Sequence, residues 1–261
     1  MFVANLAAAD LIIGVAMPFQ ILFFLHADLE RNKYACLLRY LVITFACNAS
    51  IYSLFCTVID RYIAITFPLH YHEIMTKRFA CSMVAAIWVV DALFQSIPLF
   101  GVNNFDSSPL CLYELVMDKW YRICNFTSGL FLAFGMLLVY IKIYFVVKKH
   151  MAQIVTDVPQ IDAIRVQQKR HVQMNRVIPI VVIFFHISWL PFFFIQMTML
   201  EPAGVTHHKV LVANFLVFLG IMNSVVNPVV YAWRNTQYRR AFKKLLGRPG
   251  EVEEVTVIAI A

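Results

Sequence analysis

CTVIDRYIAI, residues 56–65, is the stretch on which the fold turns. An apolar run carries an adjacent acid and base, Asp60 and Arg61, and then resumes with Tyr62, Ile63 and Ile65. The chain around it is just as apolar. Of 261 residues, 61% are hydrophobic and only 14% charged, and the mean hydropathy is +0.71. A water-soluble domain carries about a quarter charged and roughly half apolar residues. The composition therefore reads as that of a membrane protein.

Six stretches reach the length of about 20 mostly apolar residues that a helix needs to span a bilayer. They lie near residues 2–26, 38–66, 79–102, 120–147, 177–200 and 210–233. None alternates strictly, so helices are expected rather than barrel strands. Sixteen of the 22 lysines and arginines follow the second, fourth and sixth spans, Arg61 among them. By the positive-inside rule that side is cytosolic, and an even number of spans puts both chain ends there. The formal charge of +7 is then a topology signal and a surface for anionic lipid, not a nucleic-acid site.

Asp10, Asn48 and Asn227 fall at membrane depth, where an ionisable group costs about 2.5–3.5 kcal/mol on insertion scales and needs polar partners. Cys47, Cys56, Cys81 and Cys124 fall inside spans and read as small apolar core residues. Cys36 and Cys111 both fall on the outer side, where oxidation is permitted, and are expected to pair. The sequons at Asn48 and Asn125 lie at membrane depth or at its edge and read poorly as glycosylation sites. Residues 148–176 are charged and Gln-rich and are expected to extend the flanking helices. After a bundle domain of residues 1–233, residues 234–247 place Tyr238, Phe242, Leu245 and Leu246 opposite Arg239, Arg240, Lys243 and Lys244. That pattern predicts an amphipathic helix on the inner leaflet. Residues 248–261 remain as a cytosolic tail without a packing signal beyond a short apolar end.

Asp60-Arg61-Tyr62 stands at the cytosolic end of the second span, and there the sequence resembles the rhodopsin-like G-protein-coupled receptors. The companions of this triplet follow in order along the chain: NLAAAD with Asp10, Cys36, Trp88, Cys111, Tyr140, Trp189-x-Pro191, and NSVVNPVVY over residues 223–231. The implied fold is an all-α membrane bundle of the seven-helix type. Six spans are present, and the first corresponds to the family's second helix, so the family's first helix is expected to be missing. No catalytic residue is needed. The implied partners are an extracellular small ligand and a heterotrimeric G protein, and the implied location is the plasma membrane, with a cytosolic C-terminus.

In this resemblance Asp60, Arg61, Tyr62, Tyr140 and Tyr231 form the coupling switch. Arg61 is held by Asp60 in one state and meets the G-protein α subunit in the other. The plainer reading of the pair is a snorkelling anchor at the membrane edge. Many relatives add an acid where this chain has His171, so raised basal activity is expected. Asp10, Ser50, Asn223 and Asn227 resemble a central sodium pocket, with a simple hydrogen-bonded polar cluster as the alternative. Pro191 is expected to bend its helix, with Pro179 as a second kink. Two of Phe192, Phe193 and Phe194 are expected to face the pocket.

The ligand pocket implied by the resemblance takes Ile43, Cys47 and Asn48 from the second span, and Tyr113 and Glu114 from the outer loop. Trp189, Phe192, Phe193 and Gln196 follow from the fifth span, and Val217 and Ile221 from the sixth. Ile43 stands where amine receptors carry an aspartate, and Ile221 where opsins carry the retinal lysine. Adenosine receptors match best, on LAAAD, CLYE over residues 111–114, and the NSVVNP segment. Tyr113 would stack on a purine, with Glu114 and Gln196 reading its edge. The ribose contacts fail, since Gly220 and Ile221 offer no partners to hydroxyls. YHEIMT, residues 71–76, resembles the melanocortin inner loop and supports a melanocortin-like or lipid-responsive alternative. A transporter or channel fragment is the alternative of another class; it predicts broken helices or repeated halves. His207, His208 and Glu201 could hold a metal, but adjacent loop histidines are more often solvated.

Overall fold

The computed structural model describes residues 1–156 and 177–234. Six long helices account for most of them: α1 (Phe2–Leu25), α3 (Lys33–Thr66), α5 (Lys77–Ser96), α7 (Lys119–Thr156), α8 (Val177–Met197) and α9 (His207–Arg234). Three short ones lie in the connections: α2 (Ala27–Arg31), α4 (Tyr71–Ile74) and α6 (Tyr113–Val116). All six long helices are apolar enough over their length to cross a membrane. Only a helix or a closed barrel can satisfy its own backbone there, which is why apolar runs of this length fold as they do.

Local signals set the helix ends. The Asn32 side chain accepts from the Ala35 N–H at 3.1 Å and opens α3, and Thr76 Oγ1 accepts from the Phe79 N–H at 3.2 Å and opens α5. Beyond α5 a 3₁₀ turn, Ile97–Phe100, closes on Gly101, whose φ of 105° suits a residue without a side chain. At 1.5 Å per residue, the 34 residues of α3 span about 50 Å, well beyond the hydrocarbon layer of roughly 30 Å.

α3 is the central helix. It packs against α1, α5 and α7, and over half of its span is buried, more than of any other. The ring closes through α7 on α8, α8 on α9 and α9 on α1. Large apolar side chains such as Leu11, Val89, Phe131, Ile187 and Phe215 point outward on five helices, as lipid-facing residues do. Lipid tails are as apolar as these side chains, so close packing and interhelical hydrogen bonds hold such a bundle. Trp88 Nε1 donates to Asn5 Oδ1 at 2.7 Å and Asn5 Nδ2 to Ser53 Oγ at 2.6 Å, tying α5, α1 and α3 together. His186 Nε2 lies 2.9 Å from the Ala133 carbonyl, joining α8 to α7.

Two sequence expectations are corrected. Cys47 and Cys56 are buried, but Cys81 and Cys124 are exposed on the outer faces of α5 and α7. A thiol is small and apolar enough for either environment, so depth alone did not decide its direction. Pro179 lies at the start of the described part of α8, and the residues that would decide the expected second kink lie outside the described ones. A proline also sits within α1, Pro18, alongside the expected Pro191 in α8. α7 continues to Thr156, in keeping with the expected extension. Arg234, the first residue of the expected surface helix, ends α9, and the rest of that helix (235–247), the tail at 248–261 and His171 lie outside the described residues.

Close approach of helices is visible at Gly129 of α7. A Cβ added there would sit 2.7 Å from the Phe193 ring of α8, whereas one on Gly14 would meet nothing within 4 Å. Gly129→Ala is expected to destabilise the bundle by about 1–3 kcal/mol, read as a lower Tm in lipid nanodiscs. Gly14→Ala, relieved of glycine's helix cost, should hold or raise it.

Candidate functional site

The outer loop is fastened over the bundle mouth. Cys36 at the start of α3 is disulfide-bonded to Cys111, as expected, across 75 residues. Tyr40 donates its hydroxyl to the Cys111 carbonyl at 2.9 Å, and the Asn104 N–H to the Val116 carbonyl at 2.7 Å. With both flanks held, the single turn of α6 points Tyr113 and Glu114 inward, and both are buried. Burial pushes the Tyr113 phenol above its ordinary range, so it stays protonated.

Below this lid ring contacts and one hydrogen bond link Tyr113, Glu114, Trp189, Phe192, Phe193 and Gln196, whereas Cys47 lines the mid-depth cavity beside Ser50. The Tyr113 ring meets Tyr40 and Phe126 edge-on at 5.5 and 5.9 Å, and Phe126 meets Phe192 at 5.8 Å. Trp189 then packs on Phe192 and stacks on Phe193. Phe194 is exposed, so two of the three phenylalanines face inward. Gln196 Nε2 donates to Glu114 Oε1 at 3.0 Å, while the buried Gln196 Oε1 has no partner. Ile43 and Val217 are half-buried against the main apolar core. Gly220 faces the Trp189 indole, where an added Cβ would lie 2.7 Å from the ring.

Arg122 of α7 was not anticipated from the sequence. It is buried and donates from Nη1 and Nη2 to the Met199 and Leu200 carbonyls at 2.8 and 2.7 Å, holding the turn that follows α8. Asn125 was noticed only as a sequon, yet it bridges Tyr113 and Asn48. Asp91, which also escaped notice, is buried on α5 beside Gln95. Its signal was available: a carboxylate within an apolar run of α5.

At mid-depth the Asp10 carboxylate accepts from Ser50 Oγ at 3.1 Å and from Asn227 Nδ2 at 3.0 Å. A cavity reaches Ser50, Asn223 and Ser224 beneath Trp189 and Gly220. The Oδ1 atoms of Asn223 and Asn227 are buried without a partner. The four residues expected here therefore converge on one place.

At the inner end of α3, Arg61 Nη2 lies 3.5 Å from Asp60 Oδ2. Asp60 is buried and also accepts from the Tyr71 hydroxyl at 2.8 Å. Burial, and then the bond to Asp60, push the Tyr71 phenol above its ordinary range, which keeps it a donor. Tyr62 and Tyr140 are half-buried against the core. Tyr231 lies in α9, but its side chain is outside the described residues.

The chain matches the family described as "7 transmembrane receptor (rhodopsin family)" over residues 1–231. It is 30% identical to adenosine receptor A2b of Homo sapiens, over 95% of this chain and 79% of that receptor. Adenosine receptor A2a of Homo sapiens is 28% identical, over 94% of this chain and 63% of its own length. Alpha-1A adrenergic receptor of Oryzias latipes is also 28% identical, over 94% of this chain and 59% of its own length. α1 and α8 run unbroken through their prolines, unlike the broken helices a transporter reading expects. The helices, the disulfide and the matched residues agree: this multi-pass membrane protein belongs to the rhodopsin family of seven-transmembrane receptors and is a receptor rather than an enzyme.

Proposed function

We propose that the chain carries the binding of an extracellular small ligand to a heterotrimeric G protein, by a population shift between two packings of the bundle. The observation that carries this reading is the Asp60–Arg61–Tyr71 cluster. A guanidinium that served only to snorkel would need no buried acid, nor a phenol holding that acid. Arg61 is instead restrained by a pair that can open. In this reading α3 is oriented with Arg61 toward the cytosol of the plasma membrane, and the C-terminus lies on the same side. Arg61→Ala should abolish nucleotide exchange on the partner α subunit in a reconstituted assay, and Tyr71→Phe should raise basal exchange. Full exchange by Arg61→Ala at equal surface expression would sink the coupling role.

For the ligand, the supporting geometry is a buried acceptor edge, Gln196 Oε1 beside the Glu114 carboxylate, under an aromatic lid. Gln196 has an unused buried acceptor beside its bond to Glu114, and Tyr113 offers a ring to stack on. A purine base presents the complementary edge. Relatives named for adenosine and for adrenergic ligands stand at similar identity, so the pocket residues must decide. Trp189 fills the space against Gly220, and a ribose there would bury hydroxyls without partners at about 1–3 kcal/mol each. The ligand is therefore a heteroaromatic base without its sugar. Adenine should bind more tightly than adenosine, and Gln196→Leu should weaken it about tenfold, the factor that 1.4 kcal/mol represents. Tight binding of adenosine with none of adenine would refute this.

The mid-depth cluster supports a sodium ion. Hard cations take oxygen ligands, and the Asp10 carboxylate, the Ser50 hydroxyl and the unpartnered Oδ1 atoms of Asn223 and Asn227 supply them. Such an ion offsets the Asp10 charge and favours the packing in which α1, α3 and α9 stay together. Sodium chloride, but not choline chloride, should raise the Tm in nanodiscs, and Asp10→Asn should remove the difference.

A further inference from the structure

Asp91 is only 2% exposed in the middle of a bundle that the receptor reading does not use it for. Its Oδ1 accepts from Gln95 Nε2 at 3.2 Å, and its Oδ2 is buried with no hydrogen-bond partner. Gln95 is fully buried, and its Oε1 already accepts from the Tyr121 hydroxyl and from Thr44 Oγ1. Asn48 of α3 lies beside the carboxyl group, but its Nδ2 donates to Asn125 Oδ1 at 2.8 Å. Asn125 Nδ2 in turn donates to the Tyr113 hydroxyl at 3.2 Å, under the lid. The other titratable groups facing Asp91 are Cys47 and Tyr52 of α3 and Tyr121 of α7. No lysine, arginine or histidine forms an ion pair with Asp91 among the described residues.

An ionised carboxylate with an unpaired oxygen at membrane depth is costly, and such groups take up a charge partner or neutralise. A metal cation would need several free oxygens, and the Gln95 carbonyl is already engaged twice. The cavity beneath Trp189 is not lined by Asp91. A proton needs no room and no further ligand. We propose that Asp91 is a proton-binding site inside the membrane, and that its proton keeps the Asn48–Asn125–Tyr113 chain intact. Proton uptake moves one proton from water to Oδ2, forms one O–H bond and transfers no electron. On its loss, the carboxylate draws the second N–H of Asn48 Nδ2 toward Oδ2, which pulls that amide off its line to Asn125 and loosens the hold on Tyr113. External pH then acts on the lid of the pocket.

Infrared spectra of the protein in lipid nanodiscs test the site without any ligand or G protein. At neutral pH the wild type should show the carbonyl stretch of a protonated carboxylic acid, which survives in Asp10→Asn, is absent in Asp91→Asn and fades as pH is raised. Asp91→Glu, which keeps the acid, should move that band rather than remove it, and serves if the asparagine variant does not fold. A spectrum in which no such band depends on residue 91 overturns the proposal. Amide hydrogen exchange of residues 112–116 tests the coupling, at a pH where the wild-type band has gone. There the wild type should exchange several-fold faster than Asp91→Asn, which imitates the neutral acid. Equal exchange would show that the proton does not reach the lid. Neither measurement depends on which ligand the pocket takes, so failure of the purine reading leaves both interpretable.

Discussion

One constraint governs this molecule: a polar group placed in hydrocarbon must find its partner on a neighbouring helix. Between lipid-matched apolar surfaces there is little hydrophobic drive to choose one arrangement over another. The choice falls to the polar side chains of α3, set along one central helix. Thr44 faces Gln95 of α5, Asn48 faces Asn125 of α7, Ser50 faces Asp10 of α1, and Ser53 accepts from Asn5 of α1. Each bond fixes the rotation of one neighbour about its axis. Together they set where the pocket, the mid-depth cluster and the inner pair lie.

Because these contacts share one rod, the two ends of the bundle are connected. The disulfide and the Tyr40 hydroxyl fix the outer lid to the upper part of α3, and Asp60 and Arg61 close its lower end. Between them the Trp189 indole rests on Gly220 and above the polar cavity. A ligand that repacks Trp189 must change contacts with α9 and with the polar cluster together. Packed interiors of this kind switch between discrete arrangements rather than deform smoothly. The frame is thus suited to a two-state signal, while the identity of the trigger rests on a handful of pocket atoms.

Much of this was legible beforehand because bilayers impose long, one-dimensional signals. Spans, their order and the outer disulfide follow from apolar length, basic-residue bias and cysteine placement. Membrane depth singled out Asp10 and Asn227 as groups needing polar partners, and the receptor resemblance implied that Ser50 and Asn223 join them. Asp91, Asn125 and Arg122 were harder to see. Each is a single polar residue in a helix whose rotation is not written in its sequence, and the apolar residues of α7 show no marked sidedness that could fix it. The same ignorance of rotation misplaced Cys81 and Cys124, which face outward.

The amino-acid sequence by itself determined a six-span helical bundle with a basic face, an outer disulfide and an acid–base pair at the end of its second span. It could do so because water and hydrocarbon sort residues by type, independently of any partner helix. Tertiary structure alone decided that Tyr71 holds Asp60, that Gln196 gives a donor to Glu114 and leaves its acceptor free, and that Asp91 meets no cationic side chain among the described residues. Those outcomes depend on which faces of separate helices are brought within hydrogen-bond distance, and only packing sets that.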